Sequence, residues 1–212
     1  MRIPRFDDPD LAYETGVHLG DGSISELRYV ISGNKQNETQ YYEDILAPLL
    51  ENLYSLSPTI AFQNNSVYLR VYSKELVTFK HLELGLPIGR KHDLHIPACL
   101  RSNSSCAASV ASGLYDTDGS VKIRRDKSGD YPRISLAQKQ MELVSEVRYI
   151  LQRLGITSTM YRNDYVDSRS GKVETRWFLD INGSKNFERF VSRIGTRSPY
   201  VQKRIDVVEA TC

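Results

Sequence analysis

Apolar positions along this chain alternate between two spacings, every third or fourth residue and every second residue, and the alternation runs through the same order twice. From Pro9 to Leu19 the spacing predicts a helix, with Asp8 or Asp10 as its amino-terminal cap. Glu26–Ser32 has strand character and ends at Gly33-Asn34-Lys35-Gln36. Helical spacing returns from Glu38 to Tyr54, where Tyr42, Ile45, Leu46, Leu49, Leu50 and Leu53 form the apolar stripe. Thr59–Gln63 and Ser66–Tyr72 flank Asn64-Asn65, a two-residue hairpin turn. In the second of these strands Val67, Leu69 and Val71 alternate with Tyr68, Arg70 and Tyr72, so one face is apolar and the other polar and aromatic. Lys74–Leu84 is a short closing helix.

Residues 85–103 change character. Gly85, Pro87, Gly89, Pro97 and the Ser102-Asn103-Ser104-Ser105 cluster break both periods, which predicts a linker. A helix from about Ser104 to Asp116 follows, then strands at Ser120–Arg125 and Arg133–Ala137 and a helix at Met141–Leu154. A hairpin from Ile156–Arg162 to Val173–Ile181 and a helix at Ser184–Ile194 complete the second unit. Each half is expected to run helix-strand-strand-helix-strand-strand-helix, over 1–84 and 104–194. The tail, 195–212, has no counterpart in the first half and is expected to close with a helix from about Tyr200.

The two units begin on related stretches, Gly16-Val-His-Leu-Gly-Asp21-Gly22-Ser23 and Gly113-Leu-Tyr-Asp-Thr-Asp118-Gly119-Ser120. Small residues four apart, Gly16 with Gly20 and Gly113 with Thr117, give each helix a narrow flat stripe through which two backbones can pack closely. Each helix then stops at an aspartate followed by glycine, which suits a left-handed helix end. A carboxylate there sits at the negative end of the helix dipole, where it costs stability. Two such conflicts at matched positions point to a site. If the helices pack together, Asp21 and Asp118 meet among unpaired carbonyl oxygens, and a hard divalent cation, Mg²⁺ or Mn²⁺, suits that donor set.

Composition narrows the class. Among 212 residues, 40% are hydrophobic and 25% charged, as in an ordinary water-soluble protein. No apolar run is long enough to span a membrane and the first ten residues lack a signal-peptide core, so a cytoplasmic location and no membrane partner are expected. The net charge of +2 is unevenly spread: residues 1–103 hold 10 Lys/Arg against 13 Asp/Glu, and residues 104–212 hold 18 against 13. A basic second half is compatible with phosphate contacts. Three cysteines do not form a disulfide framework, and His92, His95, Cys99 and Cys106 lie close enough in sequence to be weighed as a zinc set, though their spacing fits no standard finger.

The paired stretches resemble the LAGLIDADG homing endonucleases, in the single-chain two-motif form found encoded in archaeal introns. Glu14-Thr-Gly-Val-His-Leu-Gly-Asp-Gly22 keeps the glycine skeleton and the acid, and Ala111-Ser-Gly-Leu-Tyr-Asp-Thr-Asp-Gly119 is closer to the family pattern; the two acids stand 97 residues apart. His18 departs from the pattern by standing where an aliphatic residue is usual, and is expected to be a packed core residue; Asp116, almost across the helix from Asp118, is expected to be structural. The resemblance implies an α+β fold of two pseudo-symmetric αββαββα repeats packed through the motif helices. Each repeat carries a curved antiparallel sheet, and the two together form a DNA-binding saddle. It further implies a monomer that binds double-stranded DNA at a long, nearly asymmetric site and hydrolyses one phosphodiester per strand to leave short 3′ overhangs. Asp21 and Asp118 would hold the metal, with the carbonyls of Gly20 and Thr117 completing the shell. Lys35 and Lys139, at the ends of the second strands, would take the place of the family's basic residue, with Gln36 the alternative to Lys35.

On the sheets, Lys122 and Arg124 alternate with Val121 and Ile123, and Arg176 and Phe178 with Trp177 and Leu179. Basic, polar and aromatic residues on an open sheet face are the types that read base edges, although a merely solvated face alternates in the same way. The residues expected to contact DNA are Arg28, Ser32, Asn34, Tyr68, Arg70, Tyr72, Lys122, Arg124, Arg133, Gln138, Arg162, Arg176 and Phe178. The competing function is an RNA maturase or a non-cleaving sequence-specific DNA-binding protein on the same scaffold.

Overall fold

A computed structural model describes residues 1–126, 129–166 and 171–211. Helix α1 (Pro9–Asp21) leads into β1 (Gly22–Ser25) and β2 (Arg28–Asn34). A continuous helical stretch follows, made of α2 (Lys35–Tyr41), a π-helical turn (Tyr42–Leu46) and α3 (Ala47–Tyr54). The wide turn lies just ahead of Pro48, which lacks the N–H that a regular helix would use. Strands β3 (Thr59–Gln63) and β4 (Ser66–Tyr72) and helix α4 (Lys74–Leu82) close the first repeat. After α5 (Ala98–Ser102) the order recurs as α6 (Ser104–Asp118), β5 (Gly119–Asp126), β6 (Gly129–Gln138), α7 (Met141–Arg153), β7 (Thr159–Val166), β8 (Val173–Asn182) and α8 (Ser184–Arg193). Helix α9 (Pro199–Glu209) follows, its first turn capped by Ser198.

The sequence pattern misses β1, because Gly22–Ser25 offers only Ile24 as a large apolar side chain, too little to display a period. It also misses α5, a single turn whose preceding proline reads as a breaker. The two antiparallel sheets have the same strand order, β1-β2-β4-β3 and β5-β6-β8-β7. In each, alternate residues face the helices: Tyr29, Ile31, Val67, Leu69 and Val71 in one, Ile134, Leu136, Leu179 and Ile181 in the other, all buried.

Helices α1 and α6 pack at the molecular centre, so α1 is buried continuously from Leu11 to Leu19. The small residues make this possible. A Cβ at Gly16 would overlap the carbonyl of Val110, and one at Gly113 the carbonyl of Tyr13. Overpacking against backbone cannot be relieved by a rotamer change, so each site demands glycine. The contact is reinforced by Asp116, which accepts hydrogen bonds from Tyr13 Oη, Thr196 Oγ1 and the amides of Arg197 and Ser198. It thereby pins the tail to both motif helices, the structural part expected of it.

The glycines after the two acids are not left-handed. Gly22 (φ −77°, ψ 158°) and Gly119 (φ −84°, ψ 162°) are extended. They are glycine for a steric reason: each chain turns from helix straight into strand, so a Cβ would strike His18 at Gly22 and Tyr115 at Gly119.

Segment 85–97 and the tail take matching places. Gly89 donates to the carbonyl of Ile24 in β1, and Glu146 of α7 accepts from the Ile96 amide, so this segment bridges β1 and the opposite repeat. Helix α9 lies likewise against β5 and the α2 helix of the opposite repeat. The tail thus has a positional counterpart that its sequence does not reveal.

Candidate metal centre and nucleic-acid interface

Because α1 and α6 cross through their small residues, their carboxyl ends arrive side by side. A Cβ at Gly20 would run into Thr117 Oγ1 and lie 2.7 Å from Asp118 Oδ2. Burial, the nearby Asp118 and Glu38 drive the Asp21 carboxyl up to about 8, with Lys91 opposing. Burial also raises Asp118, to about 6, against the pull of Lys91, Gln138 and Arg176. Two desolvated acids at the negative ends of two helices stay partly protonated unless a cation balances them. With the carbonyls of Gly20 and Thr117, one residue before each acid, they could supply an all-oxygen donor set of the kind Mg²⁺ or Mn²⁺ takes.

The strand registers align the two halves exactly enough to correct one equivalence. Gly22 pairs with Ile31 and Gly119 with Leu136, while Ile31 pairs with Leu69 and Leu136 with Leu179. Counting on from these pairs, Gly33 corresponds to Gln138, Asn34 to Lys139 and Lys35 to Gln140. Lys35 and Lys139 are therefore one residue out of step. Gln138 Nε2 donates to Asp118 Oδ2 at 2.6 Å, whereas Gly33 has no side chain to do the same for Asp21.

Lys139 lines a cavity of about 300 Å³ with Gly20, Asp118, Gln138 and Arg176, its ammonium 2.7 Å from Glu174 Oε2. Lys35 instead lies over the Phe62 ring, 5.3 Å from its centroid, toward the far strand of its sheet. Gln36 lines a groove between α2 and α9 with Tyr200 and Lys203. Of the three, only Lys139 is brought to an acid. The polar residue that sequence reasoning missed is Lys91, whose Nζ donates to the carbonyls of His18, Leu19 and Gly20 at 2.9, 3.0 and 2.5 Å. No motif or period marks it, since it stands in an irregular segment.

His18 is a buried core residue beside the Tyr29 ring, 5.4 Å between centroids, and burial holds its imidazole well below the usual histidine range. Glu14, fully buried one turn earlier, binds Lys80 Nζ at 2.6 Å and the hydroxyls of Tyr29 and Tyr54, anchoring the base of the site. The four residues weighed as a zinc set do not come together as one. His95 turns to Glu146, Cys106 is buried in the core, and no cluster of three or more metal-ligating side chains forms among the described residues.

The faces away from the helices carry most of the expected DNA contacts. Cross-strand pairing puts Arg28, Ser32 and Asn34 on the same face as Tyr72, Tyr68, Arg70 and Ser66. Arg70 lies over Tyr68, Tyr72 is 67% exposed, and Asn34 also caps α2. On the second sheet Lys122 and Arg124 are exposed, Phe178 stacks on Tyr161 at 5.3 Å, and Arg176 lies over Tyr165. Three expectations change. Arg133 is tied to Asp180, Ser135 and Tyr161, so it braces the face instead of reaching from it. Arg162 pairs across from Trp177, which places it on the helix side, bonded to Asp164. Gln138, also opposite Trp177, points to Asp118. A period-two count assigns faces only when its starting register is right, and one residue of slip reverses the assignment.

No helix among the described residues is long and apolar enough to cross a membrane. Residues 106–195 match the LAGLIDADG-like domain family. The chain is 25% identical over 172 residues to ribonucleoside-diphosphate reductase NrdEB subunit alpha of Bacillus subtilis, a match covering 76% of the chain and 16% of the relative. It is 26% identical to a reverse gyrase of Thermococcus kodakarensis, over 95% of the chain and 10% of the relative. It is also 26% identical to the tRNA-splicing ligase RtcB of Pyrococcus abyssi, over 90% and 22%. The chain thus spans between 10% and 22% of the length of these relatives. Among solved structures it superposes on the homing endonuclease I-DmoI with a TM-score of 0.63, 23% identity and coverage of 90% of this chain and 97% of that one. I-DmoI bound to DNA and Mn gives 0.61 at 22% identity, covering 88% and 96%. Full-length DUF199/WhiA from Thermatoga maritima gives 0.59 at 14% identity, covering 100% and 62%. The second half of this chain thus matches the LAGLIDADG-like domain model, and the chain as a whole shares the two-repeat fold of the homing endonuclease I-DmoI.

Proposed function

We propose that this chain is a metal-dependent, site-specific double-strand DNA endonuclease. The observation that carries this reading is the meeting of Asp21 and Asp118, two destabilised acids that a pure binding protein would have no reason to keep. Asp21, Asp118 and the carbonyls of Gly20 and Thr117 would hold a divalent ion. Such an ion, when bound, lowers the pKa of its water and offsets charge on the attacked phosphate. Gln138 holds the Asp118 carboxylate in place, and Lys139, paired with Glu174, lines the same cavity. One phosphodiester would be hydrolysed in each strand, leaving short 3′ overhangs, with the two exposed sheet faces reading a long, nearly asymmetric duplex site as a monomer.

The relatives support a mobile element. A ribonucleoside-diphosphate reductase, a reverse gyrase and a tRNA-splicing ligase carry different names and functions, yet each contains a minor segment similar to this chain. An endonuclease that cuts the uninterrupted copy of its host gene accounts for a segment found in unrelated hosts. Such a segment is carried either within an intron or in frame within the host protein.

The test is incubation of the purified protein with DNA spanning the uninterrupted host gene, with Mg²⁺ or with chelator, both strands being resolved on a sequencing gel. Two staggered, metal-dependent nicks at one position are expected. Tight binding without nicks would overturn the endonuclease reading and favour a non-cleaving DNA-binding protein; selective binding of the host transcript alone would favour a maturase.

A further inference from the structure

Lys91 belongs to the segment between the repeats, yet its ammonium reaches the last turn of α1 and donates there to the three carbonyls of His18, Leu19 and Gly20. The position is held from both sides. Gln140, just ahead of α7, donates to the Lys91 carbonyl at 3.2 Å, and Gly89 is bonded to β1 at 2.8 Å. Lys91 also lines the cavity that contains Gly20 and Asp118. It therefore takes up a carbonyl oxygen of the metal donor set and sets its positive charge beside both acids. At the end of α6 the matching carbonyls are those of Tyr115, Asp116 and Thr117; among the described residues no lysine or arginine side chain donates to them. The tail, which occupies the matching place, sends Thr196 to Asp116 instead.

We propose that Lys91 is a built-in counter-cation of the first half-site. It holds the Gly20 carbonyl and balances the two acids in the free protein, competes with the divalent ion for them, and withdraws when that ion binds. The inference rests on the metal-centre reading above and specifies how one half of that centre is regulated. An ammonium donating to three carbonyls at a helix carboxyl end mimics a metal ion in charge and in the ligands it takes.

The test measures Mn²⁺ binding to the whole 212-residue chain without DNA, by titration calorimetry, for the unaltered chain, Lys91→Met and Lys139→Met. Methionine keeps the length of the stem without the charge. Lys91→Met is expected to bind Mn²⁺ at least tenfold more tightly, while Lys139→Met, which removes a charge from the same cavity but takes no carbonyl of the donor set, changes affinity less than threefold. Equal tightening in both variants would reduce Lys91 to a general electrostatic effect and overturn the proposal. Unchanged or weaker binding in Lys91→Met would do the same while leaving the metal centre intact. The absence of saturable binding in all three proteins would overturn the metal centre itself. A measurement on the unaltered chain guards against a variant that misfolds: the ¹⁵N-lysine ammonium resonance of Lys91, protected in the free protein, should shift and lose protection as Mg²⁺ is added. A resonance indifferent to Mg²⁺ at saturation would overturn the proposal.

Discussion

The two motif ends share a backbone and differ in what surrounds their acids. Asp118 has a hydrogen bond from Gln138, with Lys91, Arg176 and Lys139 nearby. Asp21 has glycine where Gln138 stands, Glu38 as an additional acid close by, and Lys91 on the carbonyls just before it. Burial is the largest influence on both, but the neighbours then separate them, to about 8 for Asp21 and about 6 for Asp118. The lesson is that the two repeats share the helix crossing, where any side chain would clash, and differ in what surrounds it. If the proposed endonuclease function holds, two half-sites that differ in this way would cut the two strands at different rates.

The comparison is broken most completely by removing either acid. Asp21→Asn or Asp118→Asn should reduce cleavage by roughly 10²–10³-fold or more while leaving specific DNA binding intact, since each would weaken the hold on the proposed metal that offsets charge on the reacting phosphate. Gel-shift and cleavage assays on the same preparations check this, and full cutting of both strands by either variant would remove that acid from the mechanism.

Altering the shared skeleton should affect both halves at once. Gly16→Ala forces a methyl group into the Val110 carbonyl and should cost about 3 kcal/mol, at the upper end for overpacking, measured by denaturant unfolding. Gly113→Ala, facing the Tyr13 carbonyl, should cost a similar amount. A much smaller loss in one alone would show that the crossing is less symmetric than its geometry.

Reading of the DNA should depend on exposed arginines and not on the braced one. Arg124→Ala and Arg176→Ala should each relax preference at one base pair by about 1–3 kcal/mol, whereas Arg133→Ala should lower stability and leave base preference unchanged. Binding to a library of single-base variants of the site separates the two outcomes. A uniform loss of affinity across that library would reassign Arg124 or Arg176 to phosphate contact.

Titration sharpens the comparison of the acids themselves. Each carboxyl is raised in the folded state, so each contributes stability that is present at low pH and lost as pH rises from its unfolded value of 3.8 toward its folded one. Asn has no such loss. In metal-free buffer Asp118→Asn should therefore gain stability over the unaltered chain up to about pH 6 and then level off, while Asp21→Asn should keep gaining to about pH 8. The gains should be on the order of 1 kcal/mol or more, by the free energy of one pKa unit. Identical pH profiles for the two variants would erase the difference between the half-sites.

Much of this architecture was legible because it is encoded within single elements. The glycine spacing of α1 and α6, the acid closing each helix, the Asn64-Asn65 hairpin and the αββαββα order all follow from periodicity and turn chemistry, which act over a few residues. The sequence by itself therefore determined that two like units exist and which two helix faces and acids would come together if those helices packed. The tertiary structure decided what meets them. Lys91 lies 70 residues beyond Asp21 in an irregular segment, and no local pattern predicts that its ammonium folds back onto the helix end. Pairing across the sheet decided that Lys139 aligns with Asn34, that Gln138 turns to Asp118, and that Arg162 faces away from Arg176. The physical reason is one of range. Backbone preference and side-chain period reach one turn or one strand, whereas register and contact between distant segments are chosen by the packing of the whole chain.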